Sequence, residues 1–396
     1  MEQQLRAWLR CSLVFGLYMS PASSTQYTNN KSAALSKRLT WLERKQILQQ
    51  QRLKEIYLHL LFVGLCVTYV KALATRKPIP GVASLAACTL IFSLQALSSI
   101  VIVAEGLWRQ QQHEAFLRLL HEIEFSLKLR LRGDITLDCW ASRVRWHLKY
   151  LLWLSLICFV VAVYHFMQLQ HLGYYWHAIW YNIIIRLRII QLCIYVCVLR
   201  NYLECLCMKL QQLVAYRTAP SQQLLDINYE KMQTLAYLLA IKDIYDLLYK
   251  TFELLNEFAG WSLFVIITCY ILDYGCALYF SLLSYEGFLE SSAYYVPAFW
   301  WLVPMTATIW HICYLCHDCT QLDRLLAARL RRLIIMSSSR SVRSYRTLLQ
   351  RFSTQLELQY IVVTGRNFFI LDLRLIMAIL ATVASYLVVL IQFLYI

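Results

Sequence analysis

A cluster of thiol and imidazole side chains is the first candidate for chemistry in this sequence. The stretch "CYLCHDC" brings Cys313, Cys316, His317 and Cys319 within seven residues. A Cys-x-x-Cys-His string matches the attachment pattern of c-type haem, and such a group also suits zinc. No second cluster lies nearby in the sequence, and the stretch ends an apolar block, where cysteine behaves as a small hydrophobe. We therefore expect a cysteine-rich helix end, with no metal and no cofactor.

Isolated charges inside apolar blocks are the second candidates. Arg186 and Arg188 interrupt one block, and Asp273 interrupts another. A charge at the depth of a bilayer core costs several kcal/mol unless it is paired or reached by water. Arg186 and Asp273 lie at similar depth when counted from the outer ends of their blocks. We expect these two side chains to form a buried ion pair, and a contact with a ligand is the alternative.

The motifs of common enzyme classes are missing from the sequence. It has no Gly-rich phosphate loop, no His-Glu-x-x-His pair and no Gly-x-Ser-x-Gly elbow, and glycine totals only 10 residues. The apolar blocks also lack paired carboxylates. We therefore expect a protein that is not an enzyme.

Long apolar blocks are the elements that must position these side chains. Of 396 residues, 59% are hydrophobic and 15% are charged, whereas a soluble domain carries about 25% charged residues. A helix of about 20 residues crosses a bilayer core of roughly 30 Å. Seven blocks reach that length: 56–74, 82–104, 149–168, 176–199, 260–283, 294–314 and 367–394. The sequence thus predicts an all-α membrane protein with seven transmembrane helices.

The basic residues are distributed unequally between the connections. Four alternate segments hold 31 Lys and Arg residues: 1–55, 105–148, 200–259 and 315–366. The other connections hold Arg76 and Lys77, with Lys71 just inside the end of the first block. Lys and Arg are enriched in the short loops on the cytoplasmic side of a membrane. We therefore expect a cytoplasmic N-terminus and an extracellular C-terminus. The net charge of +15 then lies beside membrane lipid, and we expect no nucleic acid partner.

These assignments predict the organisation of the chain. A cytoplasmic N-terminal segment precedes four transmembrane helices, a cytoplasmic helical region, two further transmembrane helices, a cytoplasmic loop and a last helix. Apolar residues recur at three- and four-residue spacing within 226–258, which is typical of an amphipathic helix. We expect this helix to anchor the inner segments to one another. The predicted boundaries are 1–55, 56–199 with its loop 105–148, 200–259, 260–314, 315–366 and 367–396.

The outer ends of the middle blocks are rich in aromatic residues. Tyr164 and Trp180 lie on either side of one outer connection, and Tyr295 and Trp300 follow another. An aromatic belt at the membrane surface is one explanation. A crevice lined by aromatic rings with a few polar groups is also typical of a pocket for a small molecule. We expect these four residues to line such a pocket.

The last block carries a specific pattern. It reads Ser385-Tyr386, then five apolar residues from Leu387 to Ile391, then Gln392-Phe393. This resembles the C-terminal signature of the insect gustatory receptor family, part of the insect chemoreceptor superfamily, with Ser385 in place of Thr. The stretches "LLNEFAGWSL" and "VFGLYMSP" also look like the family.

The resemblance implies a tetrameric, ligand-gated, nonselective cation channel in the plasma membrane of chemosensory dendrites. Such channels are homo-tetramers or hetero-tetramers with other gustatory receptors, and the last helices line one pore. The resemblance then implies that Gln392, Phe393 and Val389 form the pore wall and gate. Ser385 and Tyr386 would make hydrogen bonds between spans.

The ligand implied by the resemblance is a small tastant. The sugar-receptor branch of the family tends to carry Glu directly after the Tyr of the signature, where this chain has Leu387. We therefore expect a bitter or other non-sugar ligand.

Two other functions remain open for a chain with seven spans. A G-protein-coupled receptor has its N-terminus outside, and the third and seventh blocks lack the Asp-Arg-Tyr and Asn-Pro-x-x-Tyr motifs of that class. A secondary transporter would often show internal repeats and helices broken by Gly or Pro near the midplane. The sequence has no evident repeat, and Pro297 and Pro304 lie in the sixth block only.

Overall fold

The computed structural model describes residues 14–15, 17, 41–74, 82–131, 137–168, 172–218, 235–285, 295–336 and 343–394. Within these residues the chain forms nine α-helices and one short two-stranded sheet. The elements are α1 (Trp41–Ala74), α2 (Val82–Trp108), α3 (Gln110–Arg130), α4 (Leu137–Gln168), α5 (Leu172–Thr218), α6 (Leu235–Tyr285), α7 (Tyr295–Met336), α8 (Arg343–Leu358), β1 (Thr364–Gly365), β2 (Phe369–Ile370) and α9 (Leu373–Leu394). The prediction of an all-α fold is confirmed.

Helix α5 forms the centre of the bundle. It contacts α1, α2, α3, α4, α6 and α7. Between residues 181 and 199 its apolar side chains are buried on every face, as at Ile189, Ile190, Leu192 and Tyr195. A helix that is apolar on all sides is stable only where other helices surround it. The sequence of α5 therefore explains why the other helices pack around it.

Three helices are too long to lie only within a membrane. Helices α5, α6 and α7 have 47, 51 and 42 residues. At 1.5 Å per residue they extend about 70, 77 and 63 Å, whereas the bilayer core is about 30 Å thick. The predicted domain boundaries at 199, 259 and 314 fall inside these continuous helices. One set of rigid helices therefore joins the apolar region to the region predicted to be cytoplasmic.

The predicted cytoplasmic loop 105–148 is largely helical. Its first residue, Glu105, belongs to α2, its middle forms α3, and its last part belongs to α4. Helix α3 packs against α5 and α6 with a buried stripe of Phe116, Leu120, Ile123 and Leu127. The three- and four-residue spacing of this stripe places it on one face of the helix.

Helix α8 is a second amphipathic helix of this region. Its buried residues are Tyr345, Leu349, Phe352 and Leu356, which recur every three or four residues and so share one face. That face packs against α6 and α7. Within 226–258, the described part is the start of α6, where Leu238, Ile241, Leu248, Phe252 and Leu255 are buried. The amphipathic helix expected there is therefore present from Leu235 onward.

Four stretches of the described residues are long and apolar enough to cross a bilayer. They are Arg52–Ala74, Thr89–Trp108, Ala178–Ala215 and Leu235–Tyr279. Lys149–Val161 and Leu373–Val389 are shorter apolar stretches. The count of seven spans and the side on which each terminus lies stay predictions.

Three residues near the N-terminus pack against the bundle. The hydroxyl of Tyr57 in α1 donates to the carbonyl oxygen of Val14 at 2.5 Å. The ring of Phe15 lies 5.9 Å from that of Trp180 in α5, and Leu17 is fully buried. Part of the segment predicted as a cytoplasmic N-terminus therefore lies among the helices.

A tight hairpin separates α8 from α9. Strands β1 and β2 pair antiparallel, and the amide of Phe368 donates to the carbonyl of Gly365 at 3.0 Å. Arg366 and Asn367 at the turn have φ of 53° and 63°. Two successive residues with positive φ give the type I′ turn, whose twist matches that of a two-stranded hairpin. The part of the hairpin from Asn367 onward occupies residues that the sequence assigned to the last span.

The last helix consequently begins at Leu373, and the predicted start at 367 is wrong. Asp372 accepts hydrogen bonds on Oδ1 from the amides of Arg374 at 2.9 Å and Leu375 at 3.1 Å. An Asp at this position satisfies amides that have no partner inside the first turn of the helix. The apolar pattern alone did not reveal this boundary, because residues 368–371, in and just after the hairpin, are also apolar.

Asp323 links α7 to α6 and to the segment before β1. Its carboxylate accepts from the hydroxyl of Tyr245 at 3.0 Å and from the amide of Ile361 at 3.2 Å. Burial raises the pKa of Asp323 to about 6, although those two hydrogen bonds and nearby Arg324 act in the opposite direction. The folded chain therefore binds this proton more tightly than the unfolded chain does.

The raised pKa predicts a pH-dependent stability. Between about pH 4 and 6, ionisation of Asp323 lowers the free energy of unfolding as the pH rises, because an unfolded Asp has a pKa of about 4. Asp323→Asn removes this titration and keeps an acceptor. The melting temperature of the variant relative to the parent should therefore increase across this window and stay level above it. Thermal unfolding of the detergent-purified protein measures this.

Asp243→Asn serves as the control, because Asp243 is an exposed partner of Arg130 at 2.9 Å. A difference between Asp323→Asn and the parent that is the same at every pH would contradict the prediction.

Candidate functional site

Helix α9 is attached to the rest of the chain by one narrow stripe. Ile379 and Val383 are buried, and Leu375, Ile376 and Leu387 are partly buried against the core. These residues face α6 and α7. The remaining surface is exposed although it is largely apolar, and its large exposed side chains include Met377, Leu380, Tyr386, Val388 and Val389. Most of the helix surface is therefore available to contact something outside this chain.

The exposed face of α9 also carries polar groups. Thr382 donates to the carbonyl of Ala378 at 2.8 Å, and Gln392 is exposed. Val389 precedes Gln392 by three residues, so their side chains lie on neighbouring positions of one face. The side chain of Phe393 lies outside the described set. Of the three predicted pore residues, the structure thus places Val389 and Gln392 together on the exposed side.

Ser385 and Tyr386 were expected to bond to other spans. Within this chain the hydroxyl of Ser385 donates to the carbonyl of Ala381, one turn earlier, at 2.9 Å. Tyr386 is 59% exposed. Hydrogen bonds between spans through these two residues stay a prediction, and a second subunit would have to supply the partners.

The four aromatic residues proposed for the ligand pocket are only partly described. Tyr164 is 60% exposed on α4, and Trp180 is 42% exposed on α5 beside Phe15. The side chains of Tyr295 and Trp300 lie outside the described set. A pocket formed by these four residues stays a prediction.

A polar cluster joins α2, α5 and α6 above the centre of the bundle. Asp273 accepts from Nε2 of Gln95 at 3.0 and 3.3 Å, and Asn182 donates to Oε1 of Gln95 at 2.9 Å. Arg186 is buried near this cluster, close enough for its charge to interact with that of Asp273. An ion pair between Arg186 and Asp273 stays a prediction, and the contacts resolved at the carboxylate include the amide of Gln95.

The second arginine of α5 forms a buried ion pair that the sequence did not predict. Nη2 of Arg188 lies 3.3 Å from Oε2 of Glu105 in α2, and both side chains are 2% exposed. Nη1 of Arg188 donates to Gln191 at 2.9 Å, and Nε donates to the hydroxyl of Ser262 at 3.2 Å. Glu105 also accepts from the hydroxyl of Ser262. The guanidinium is thus paired and hydrogen-bonded, which a buried charge requires.

This network continues through neutral groups into α3. Gln191 donates to the hydroxyl oxygen of Tyr195 at 3.1 Å, and that oxygen lies 2.8 Å from Nε2 of His113. The His113 ring stacks on Phe258 with centroids 4.6 Å apart. Burial and the nearby charge of Arg188 hold the pKa of His113 well below its ordinary value. The imidazole is therefore neutral, and it connects α3 to the ion pair without adding charge.

One sequence signal for the Glu105–Arg188 pair was available. Glu105 is the acidic residue that ends the apolar run "SSIVIVAE", and Arg188 is a basic residue inside another run. An isolated charge in or at the edge of a span calls for a partner of opposite sign. Glu105 is the first residue after the predicted second span, so its position at the end of the block concealed its role as the partner of Arg188.

The cysteine-rich stretch of α7 is part of the helix packing. Cys313, Cys316 and Cys319 are buried, and His317 is beside Gln321, with Nε2 atoms 3.5 Å apart. Within the described residues, no group of three or more His, Cys, Asp or Glu side chains is arranged to hold a metal ion. Because Cys313, Cys316 and Cys319 lie in the hydrophobic core, they pack there as small apolar side chains.

Asn256 fastens the hairpin to α6. Its Nδ2 donates to the carbonyl of Val362 at 2.9 Å, and its Oδ1 accepts from the amide of Thr364 at 2.9 Å. One side chain thus satisfies a donor and an acceptor of the backbone that leads into β1. Because only two residues separate β2 from α9, Asn256 also helps to position α9.

Three similarities relate this chain to known proteins. A family model described as "7tm Chemosensory receptor" matches residues 56–395. The Drosophila melanogaster protein named "Putative gustatory receptor 39b" is 25% identical over 291 residues, which cover 71% of this chain and 76% of that protein. Structures of the insect olfactory receptor OR5 from Machilis hrabei, alone and in complex with eugenol, match with a TM-score of 0.64 at 14% identity, covering 98% of both chains. At that identity the structural match shows the fold alone.

The two bonds of Asn256 predict a stability effect. Asn256→Ala leaves a backbone amide and a carbonyl without their partner, and an unsatisfied buried group costs about 1–3 kcal/mol. We expect a clearly lower melting temperature in detergent, together with faster proteolysis near residues 359–372. Glu257→Ala is the matched control, because Glu257 is the exposed neighbour on the same helix. Equal melting temperatures for the two variants would contradict this role of Asn256.

Proposed function

Because the chain belongs to the 7tm chemosensory receptor family, we propose that it is a ligand-gated, nonselective cation channel opened by a small organic tastant. The family assignment confirms the resemblance drawn from the pattern of the last helix. The proposed channel is a homo-tetramer, or a hetero-tetramer with other gustatory receptors. It lies in the plasma membrane of chemosensory neurons, at the dendrite.

The observation that carries this proposal is the exposed face of α9. An apolar helix held by one stripe must place its remaining surface against lipid or against other subunits. Lipid-facing surfaces seldom carry polar side chains near the bilayer core. The exposed face of α9 carries the hydroxyls of Thr382, Ser385 and Tyr386 and the amide of Gln392. Such a face suits a partly wetted lining at the centre of an oligomer.

The pore residues have roles that follow from their chemistry. Val389 and Phe393 are apolar, and a ring of apolar side chains closes a narrow pore by excluding water. Gln392 offers a neutral amide to a passing ion, so it favours neither a strongly charged ring nor selection of anions. Together these residues favour a weakly selective conduction path.

The proposed mechanism of opening requires differential binding. A ligand in the outer crevice near Tyr164 and Trp180 shifts the equilibrium only if it binds the open arrangement more tightly than the closed one. The α9 helices then separate near Val389 and Gln392. The likeness to a protein named as a gustatory receptor favours a tastant, and Leu387 favours a bitter or other non-sugar compound.

Cysteine accessibility provides the direct test of the α9 surface. Val389→Cys and Gln392→Cys should make agonist-evoked currents sensitive to a cationic methanethiosulfonate reagent added outside the cell. Val383→Cys and Ile379→Cys are the matched controls, because these two side chains face α6 and α7 and are buried. The parent protein reports any contribution of the native cysteines.

Equal sensitivity of the exposed and buried positions would contradict a pore on this face. A transporter would be indicated instead by ligand-dependent currents no larger than a stoichiometric carrier supports. Screening begins with sugars, bitter compounds and cuticular lipids in a cell of low background conductance.

Gln392→Ala tests whether the amide faces the ions. We expect a change in unitary conductance and in the relative permeability of monovalent cations, because a polar group that contacts the ion is replaced by a methyl group. Gln350→Ala is the control, since Gln350 is exposed on α8 outside the proposed pore. Unchanged conductance, gating and selectivity in Gln392→Ala would remove this residue from the pore.

A further inference from the structure

One turn of α6, from Phe258 to Ser262, is contacted on two sides. On one side lie Glu105 of α2 and Arg188 of α5. On the other side lies the hairpin that leads into α9, which contacts this turn at Gly260. We call this turn the α6 joint.

The ion pair binds the backbone of the joint. Glu105 accepts from the amides of Trp261 and Ser262, each at 3.1 Å. Nη2 of Arg188 donates to the carbonyl of Phe258 at 3.4 Å. In a regular helix the Ser262 amide would donate to that same Phe258 carbonyl, four residues earlier. The ion pair therefore supplies alternative partners to groups of the helix's own hydrogen-bond ladder.

Two features that favour bending of a helix coincide at the joint. Insertion of side chains into the hydrogen-bond ladder is one of the few recognised causes of helix kinks. Glycine at position 260 adds backbone freedom at the same turn. A change in the geometry of Glu105 and Arg188 would therefore act on α6 at this turn.

The hairpin lies directly against Gly260. A Cβ atom on Gly260 would lie 3.2 Å from the backbone nitrogen of Arg366. The guanidinium of Arg366 is 5.6 Å from the Trp261 ring centroid, and the rings of Phe264 and Phe368 are 4.9 Å apart. Together with the hydrogen bonds of Asn256 to the segment before β1, these contacts fix the position of the hairpin against α6 at this turn.

The helices that hold the ion pair also carry the outer polar cluster. Gln95 lies on the same helix as Glu105, and Asn182 lies on the same helix as Arg188. Gln95 donates to Asp273 directly, and Asn182 connects to Asp273 only through Gln95. Asp273 is 11 residues beyond Ser262 on α6, or about 16 Å along the helix. A displacement of α2 or α5 in the outer half therefore reaches the joint through rigid helices.

Resting on the proposed channel function, we propose that Glu105 and Arg188 are positioning residues for opening. They set the bend of α6 at the joint, and through Gly260 and the hairpin they set the position of α9. A buried ion pair is weak evidence for stability, because apolar side chains often replace one without loss. Apolar side chains would not reproduce its bonds to the α6 backbone.

Hydrogen exchange tests the joint without requiring any current. Glu105→Gln keeps an oxygen acceptor but loses the charge that strengthens these bonds. We expect faster amide exchange in the peptide that contains Trp261 and Ser262, with little change elsewhere in α6. Glu357→Gln is the control, because it makes the same substitution in an exposed pair with Arg331. Unchanged exchange in Glu105→Gln would overturn the proposal.

Agonist titration tests the consequence for opening. Glu105→Gln and Arg188→Lys should shift the half-maximal ligand concentration by about tenfold, within the range typical of allosteric coupling. Unitary conductance and ion selectivity should be unchanged, because neither residue lies on the exposed face of α9. Altered exchange with an unshifted ligand response would overturn the positioning role and leave the channel function intact.

A pair of glycine variants tests the hairpin contact in case the charge variants fold poorly. Gly260→Ala pushes against the Arg366 backbone and leaves the ion pair in place, so it should shift the ligand response in the same way. Gly275→Ala is the matched control on the same helix, since a Cβ there meets no atom within 4 Å. Equal responses for the two variants would overturn coupling through the hairpin.

The outcomes separate this inference from the proposed function. If the parent protein carries no ligand-gated current, the channel function and this gating role both fail. Exchange at Trp261 and Ser262 would then still show whether Glu105 holds the joint.

Discussion

The need to satisfy polar groups away from water shapes the interior of this protein. Arg188 and Glu105 are almost completely buried, and neither charge is stable there alone. The two charges pair with each other and form hydrogen bonds with Ser262, Gln191 and the backbone of α6. Because these partners lie on three helices, α2, α5 and α6 have one relative rotation that satisfies them all. The network therefore fixes the relative rotation of the three helices at the centre of the bundle.

The distribution of apolar side chains then determines which helices lie at the centre of the bundle and which pack outside. Helix α5 is apolar on every side and becomes the central helix, whereas α3 and α8 have one apolar face and pack outside it. The length of α5, α6 and α7 joins the two halves of the molecule without intervening loops. These continuous helices give the two halves a direct mechanical connection.

Helix α9 stands apart from this arrangement. It begins after the hairpin, at an N-terminus capped by Asp372, and touches the bundle along one stripe. Its position depends on the hairpin, and the hairpin depends on Asn256 and on close approach to Gly260. The weakly held helix is the one that carries the proposed pore, which is reasonable because a gate must move at small energetic cost.

The sequence by itself determined the properties that follow from composition and local pattern. Long apolar runs required membrane-type helices, and the pattern from Ser385 to Phe393 indicated the receptor family. Local periodicity also identified the buried face of the start of α6. These features depend on residues close together in the chain, so neighbouring residue types are sufficient to reveal them.

Only the tertiary structure decided which distant groups meet. Arg188 pairs with Glu105, 83 residues away, because the rotation of α2 against α5 brings them together, and no local pattern encodes that rotation. Similarly, the hairpin needs positive φ at Arg366 and Asn367 and a glycine opposite it on α6. Each partner is ordinary in its own stretch of sequence. Whether two such residues meet depends on the packing of helices that are far apart in the sequence.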